Sequence, residues 1–164
     1  MDKVVVITGA HNSGKTTFIE KVVNILSGEG LNIAYIKHDP KGKAKTDTEG
    51  KDSYRVYDAG AKQVVVASPN KLSIFIKNDD YTFDYIVEIL RFFNLDIIIA
   101  EGFKSVTGYD KYEVIRKEEN RELLLKDDPF LRGVITDYYQ FNPSFDINNP
   151  ITFAKFLKEK YLGG

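Results

Sequence analysis

Val4-Val5-Val6-Ile7-Thr8-Gly9-Ala10-His11-Asn12-Ser13-Gly14-Lys15-Thr16-Thr17 is the stretch on which the fold turns. Val4 to Ile7 is a continuous β-branched run, the composition of a parallel strand buried on both faces. After the loop, Phe18, Ile19, Val22, Val23, Ile25 and Leu26 recur at helical spacing. Strand, glycine loop and amphipathic helix therefore follow in order. Gly9 to Thr16 fits G-x-x-x-x-G-K-[ST], the phosphate-binding loop. Its glycines let the backbone curl so that successive N–H groups face phosphate oxygens. Lys15 brings a positive charge to the β/γ-phosphates, and Thr16 offers a hydroxyl to Mg²⁺. The helix that starts there adds its positive dipole end. Average residue usage puts a chance match at roughly one in two hundred chains of this length, and the flanking strand and helix lower that further. His11, Asn12, Ser13, Gly14 and Thr17 complete the candidate cradle. His11 occupies a variable position, where a bystander is the plain reading.

Outward from the loop, strands and helices alternate. Ile33 to Ile36 reads as a strand, and Asp39 to Gly50 as a long polar loop, usually functional or disordered. A short helix is expected from Lys51 to Ala59. Val64–Ala67 and Leu72–Ile76 are strand-like and separated by Ser68-Pro69-Asn70-Lys71, which fits a hairpin. Phe83, Ile86, Val87, Leu90 and Phe93 mark a helix. Ile97 to Ala100 is a buried strand, Tyr112 to Arg116 and Val134 to Thr136 are shorter ones, and a last helix begins at Asn149-Pro150. The charged stretch Lys117 to Glu122 reads as solvated surface. The alternation predicts an α/β fold of the three-layer P-loop NTPase type, with a mainly parallel sheet and one antiparallel hairpin, in a single domain 1–164.

Composition narrows the chemistry. The chain has 164 residues, 43% hydrophobic and 29% charged, with a net charge of -1. That balance argues against a strongly basic nucleic-acid binder. There are no cysteines and two histidines, so thiolate zinc, iron–sulfur and cysteine-nucleophile chemistry are excluded. No apolar run approaches the ~18 residues of a membrane span. Met1-Asp2-Lys3-Val4 leads straight into a strand-like run, without the layout of a signal peptide. A cytoplasmic protein is the expectation.

A nucleotide loop needs an acid near Mg²⁺, usually at the end of a neighbouring strand. Asp96 and Glu101 bracket one strand and stand about 16 Å apart at ~3.3 Å per residue. Ligands bind beyond the carboxyl ends of parallel strands, which selects Glu101 as metal ligand or water-positioning acid. Asp39, also at a strand end, is a further candidate to touch Mg²⁺ through water. Asp52 and Ser53 open a helix and serve either as caps or as phosphate or Mg²⁺ contacts. Arg55 lies within reach of phosphate or is simply solvated. No N-K-x-D segment is present. Asp137, after the Val134–Thr136 strand, is the best guanine reader, since a carboxylate accepts from guanine N–H groups; otherwise it is a turn residue. Tyr138, Tyr139, Phe141 and Phe145 fit core or loop packing better than base stacking or a dimer surface.

Gly9 to Thr17, Tyr35-Ile36-Lys37-His38, Asp47-Thr48-Glu49-Gly50-Lys51-Asp52-Ser53-Tyr54-Arg55, Ala59-Gly60-Ala61, Ala100-Glu101-Gly102-Phe103-Lys104 and Glu113-Val114-Ile115-Arg116 occur in this order. Together they resemble the MobB family of molybdopterin-guanine dinucleotide biosynthesis adapter proteins, over about residues 3 to 137. The resemblance implies a homodimeric GTP-binding protein with Mg²⁺ and weak GTPase activity. It would assist the MobA-type guanylyltransferase that joins GMP to molybdopterin, away from nucleic acid and membrane. Lys15 and Glu101 would carry any hydrolysis. Lys104 and Arg116 would be candidate contacts for a molybdopterin phosphate. The alternative is a P-loop small-molecule kinase, whose arginine-bearing lid would have to come from Lys117 to Arg132.

Overall fold

The computed structural model describes residues 3–138 and 141–163; Tyr139 therefore lies outside the described residues. The chain divides into two compact units, Met1–His38 with Ile89–Gly164, and Asp39–Glu88.

The first unit is built on a six-stranded sheet, β1 (Val4–Gly9), β2 (Ile33–Lys37), β5 (Ile97–Glu101), β6 (Asp110–Ile115), β7 (Leu131–Thr136) and β8 (Ser144–Asp146). Their spatial order is β2-β5-β1-β6-β7-β8, and every pairing is parallel. Strand β1 lies between β5 and β6, which is why Val4 to Ile7 is apolar without alternation and buried throughout. β8 is three residues long and carries no periodic signal, so sequence reading passes over it.

Helix α1 (Lys15–Gly28) buries Phe18, Ile19, Val22 and Leu26. α4 (Pro150–Leu157) starts with proline in its first turn and buries Phe153, Ala154 and Leu157. The two helices meet through Phe18 and Phe153, whose ring centroids are 5.6 Å apart. Phe145, Phe153 and Phe156 crowd around Tyr112 at centroid distances of 5.1 to 6.1 Å. Phe145 is thus a core residue, as expected. Full burial of each such side chain contributes about 1.5–3 kcal/mol. Phe153→Ala would cost about 3–5 kcal/mol, because the ring cluster cannot collapse onto the void. A π-helical turn, Lys158–Leu162, follows α4. It sets Lys160 2.9 Å from Asp110, and the Tyr161 hydroxyl donates to the same carboxylate at 2.7 Å.

The second unit holds α2 (Asp52–Asp58) and the antiparallel pair β3 (Gln63–Ser68) and β4 (Lys71–Ile76). Ser68 pairs with Lys71 around Pro69-Asn70, so the expected hairpin is present. α3 (Phe83–Leu90) begins in this unit and ends at the first residues of Ile89–Gly164.

Candidate functional site

β1 and β5 are parallel neighbours, with Ile7 opposite Glu101. Both strands therefore deliver their carboxyl ends to one edge, and the loop after β1 emerges beside Glu101. Gly9 starts that loop at φ 149°, and a Cβ there would stand 2.4 Å from the Val114 carbonyl oxygen of β6. No side chain fits, which explains the first glycine of the motif. The loop ends at Gly14, and no side chain caps the N-terminus of α1. Its first N–H groups are thus free of side-chain acceptors, as anion binding there requires.

Lys15 curls over the loop. Its ammonium donates to the carbonyl oxygens of Gly9 and Ala10 and to Ser13 Oγ. Burial lowers its pKa from the ordinary lysine value, while the negative charge of Glu101 opposes that shift. Ser13 is buried, whereas His11, Asn12 and Thr17 are exposed.

Thr16, in the first turn of α1, donates its hydroxyl to the Glu101 carboxylate, with Oγ1 2.9 Å from both oxygens. Glu101 is only 7% exposed. A second donor reaches it from β2, the Tyr35 hydroxyl, 2.6 Å from Oε2. Burial, then the hydrogen bond to Glu101 and its charge, push the Tyr35 phenol far above its usual range, so it remains a donor. Thr16 and Glu101 place hard oxygen ligands side by side, the donor chemistry that suits Mg²⁺. Tyr35 was no candidate in the sequence. The chain turns after Glu101, with the Gly102 N–H donating to the Ile7 carbonyl and the His38 N–H to the Glu101 carbonyl. The His38 ring stacks on Phe103 at 4.5 Å. Asp96, at the other end of β5, accepts the Asn32 N–H and belongs to strand entry.

Behind the loop stand charged groups from β6 and the segment after it. Arg116 Nε donates to the Ser13 carbonyl at 3.3 Å, and its Nη1 lies 4.0 Å from the Asp137 carboxylate. Asp137 also accepts the Lys117 N–H at 2.8 Å. It is exposed on the turn after β7. Glu113, inside β6, is wholly buried and paired with Arg121 at 2.6 Å. Arg121 also binds Glu119 at 2.8 Å. The expectation that Lys117 to Glu122 is solvated surface holds for Lys117, Glu118, Asn120 and Glu122, which are exposed, and is corrected for Glu119 and Arg121: a buried carboxylate needs a partner, and Arg121 supplies it. Arg121 is tied to Glu113, and Arg132 to Asp110 at 2.8 Å.

Asp39, Asp52, Ser53 and Arg55 belong to the second unit. Asp39 accepts the Ala44 N–H, and Ser53 donates to Asp47 at 3.1 Å. Asp52 opens α2 without a side-chain cap, and Arg55 is exposed in the same helix. Tyr138 packs edge-on against Phe141 at 5.8 Å.

Comparison with known proteins agrees with this geometry. The family model described as molybdopterin guanine dinucleotide synthesis protein B (MobB) matches residues 4–137. A probable molybdopterin-guanine dinucleotide biosynthesis adapter protein of Bacillus subtilis is 33% identical over 122 residues, 74% of this chain and 69% of that relative. The molybdopterin-guanine dinucleotide biosynthesis adapter protein of Haemophilus influenzae is 31% identical over 133 residues, 80% of this chain and 73% of that relative. The crystal structure of Bacillus subtilis MobB superposes with a TM-score of 0.77 at 28% identity, covering 99% of each chain. These names give the kinase alternative no support. A loop and acidic strand end in this arrangement, with a match that runs from β1 to the turn after β7, mean that the chain belongs to the MobB family.

Proposed function

We propose that this chain, as an adapter in molybdopterin-guanine dinucleotide biosynthesis, binds GTP with Mg²⁺ and works as a cytoplasmic homodimer. Its partner is a MobA-type guanylyltransferase that attaches GMP to molybdopterin. The observation that carries the nucleotide site is the Thr16–Glu101 contact at 2.9 Å, at the mouth of the loop. The loop amides and Lys15 take the phosphates, and Thr16 with Glu101 takes the metal. Mg²⁺, when bound, neutralises charge shared between the β- and γ-phosphates. Asp137 reads guanine N1–H and N2–H₂ through its carboxylate. Asp39, Asp52, Ser53 and Arg55 are the second unit's candidates for metal and phosphate.

Hydrolysis is slow in this reading. Glu101 already accepts hydrogen bonds from Thr16 and Tyr35, so it orients rather than abstracts a proton. Arg121 and Arg132 are held in ion pairs. What remains is positioning and charge stabilisation. Calorimetric titration with GTP and ATP, each with Mg²⁺, on wild type and Lys15→Ala tests the reading. A GTP preference abolished in Lys15→Ala supports it. A preference for ATP overturns the guanine assignment.

A further inference from the structure

We propose that Arg116 is a positioning residue that aims the Gly14 N–H at the bound phosphate by holding the Ser13 carbonyl from behind. The inference rests on the nucleotide reading above and adds a residue to it.

Arg116 follows β6, the strand against which Gly9 packs. Its Nε donates to the Ser13 carbonyl oxygen at 3.3 Å. The Ser13–Gly14 peptide is trans, the one cis bond among the described residues being Asn142–Pro143. In a planar trans peptide the C=O and the following N–H point in opposite directions. Drawing the Ser13 carbonyl toward Arg116 therefore turns the Gly14 N–H away from β6, to the open side of the loop. The guanidinium is close to Gly14 as well: its Nη2 would be 3.1 Å and its Nε 3.5 Å from a Cβ there. Gly14 has φ 88°, a left-handed conformation that favours glycine, and space for the guanidinium is a second reason for glycine there. A cationic donor on the carbonyl also polarises the amide and makes its N–H a stronger donor.

Arg116 is itself held in place. Its Nη1 faces the Asp137 carboxylate at 4.0 Å, and its backbone N–H donates to Glu119 at 2.8 Å. Glu119 receives Arg121, which is fixed to buried Glu113. The bland alternative is a surface ion pair with Asp137. Such a pair would contribute little to stability and nothing to phosphate binding.

The test is an NMR titration of the ¹⁵N-labelled full chain with GTP, ATP and inorganic tripolyphosphate, each with Mg²⁺, following the Gly14 amide. In wild type that amide proton moves downfield on binding. In Arg116→Gln, affinity for tripolyphosphate falls by roughly ten-fold, and affinity for GTP falls at least as far, because Asp137 loses its partner as well. The Gly14 displacement shrinks while that of Thr16 persists. Arg116→Lys restores part of both, because its ammonium can reach Ser13 but not Asp137 as well. Should Arg116→Gln fail to fold, Arg116→Lys carries the test, with a smaller loss and a reduced Gly14 displacement expected. Wild-type affinity and an unchanged Gly14 displacement in the variant that folds would overturn the inference and leave the nucleotide reading standing. A loss for GTP but not for tripolyphosphate would also overturn it, placing Arg116 at the nucleoside. A wild-type chain that responds to none of the three ligands would overturn the nucleotide reading and this inference with it.

Discussion

Glu113→Gln is the substitution that tests how the rear of the loop is supported. The Glu113 carboxylate is fully buried and accepts three hydrogen bonds: Arg121 Nη1 at 2.6 Å, and the N–H groups of Leu124 and Leu125 at 2.9 Å each. Glutamine has nearly the same shape but only one acceptor oxygen. If that oxygen keeps Arg121 and Leu124, the new amide NH₂ confronts the Leu125 N–H. A lost hydrogen bond to a charged group costs about 1.5–3 kcal/mol, and an unpaired buried donor adds about 1–3 kcal/mol. Breaking a buried ion pair from one side costs about 3–5 kcal/mol in all. Arg121 retains 20% side-chain exposure, so water relieves part of its loss. The low end, about 3 kcal/mol, is expected. At ~2–4 °C per kcal/mol for a chain of this size, the melting temperature falls by roughly 6–12 °C. Thermal and urea unfolding of Glu113→Gln, Arg121→Gln and the double variant give the stability change and the coupling directly. Hydrogen exchange at Leu124 and Leu125 should accelerate more than exchange along β1. A loss below ~1 kcal/mol, or additive single variants, would mean that the pair behaves like an exposed one and would refute the reasoning.

Two further outcomes follow from other contacts. Tyr35→Phe removes the 2.6 Å hydrogen bond that orients Glu101. It should weaken GTP binding ~3- to 10-fold with Mg²⁺ present and less in its absence, by calorimetry; an equal loss in both would place the effect away from the metal ligand. At the opposite end of β6, burial alone would raise the Asp110 pKa, but hydrogen bonds from Lys160 and Tyr161 and the charges of Lys160 and Arg132 outweigh it and hold it low. A depressed carboxylate contributes stability above its unfolded pKa of about 3.9 and loses it as pH falls through the lower folded value. Urea unfolding of the wild type from pH 7 to 2.5 should show that loss, and Asp110→Asn should flatten it; identical slopes would contradict the assignment.

Residues that act with sequence neighbours were legible; of those that act across strands, Glu101 was and Tyr35 was not. Gly9, Lys15 and Thr16 fall in one contiguous motif, so loop and helix are readable without knowing the sheet. Glu101 is readable because ligands gather at the carboxyl ends of parallel strands, whatever the strand order. Tyr35 depends on register. It stands opposite Ile99 of β5, two residues before Glu101, and only a side chain as long as tyrosine bridges that offset. No local pattern encodes the offset. Glu113 had a signal of another kind. It stands inside a strand, Asp110–Ile115, that is paired on both sides, with Thr8 of β1 and Val134 of β7 opposite it. An ionised carboxylate in such a place costs several kcal/mol unless a cation and further donors meet it. The fold must then bring a cation to it, and Arg121, eight residues on, does so while its neighbours Leu124 and Leu125 lend their N–H groups. The physical demand of the buried acid, rather than the charge count of residues 117–122, is what determines where that segment runs.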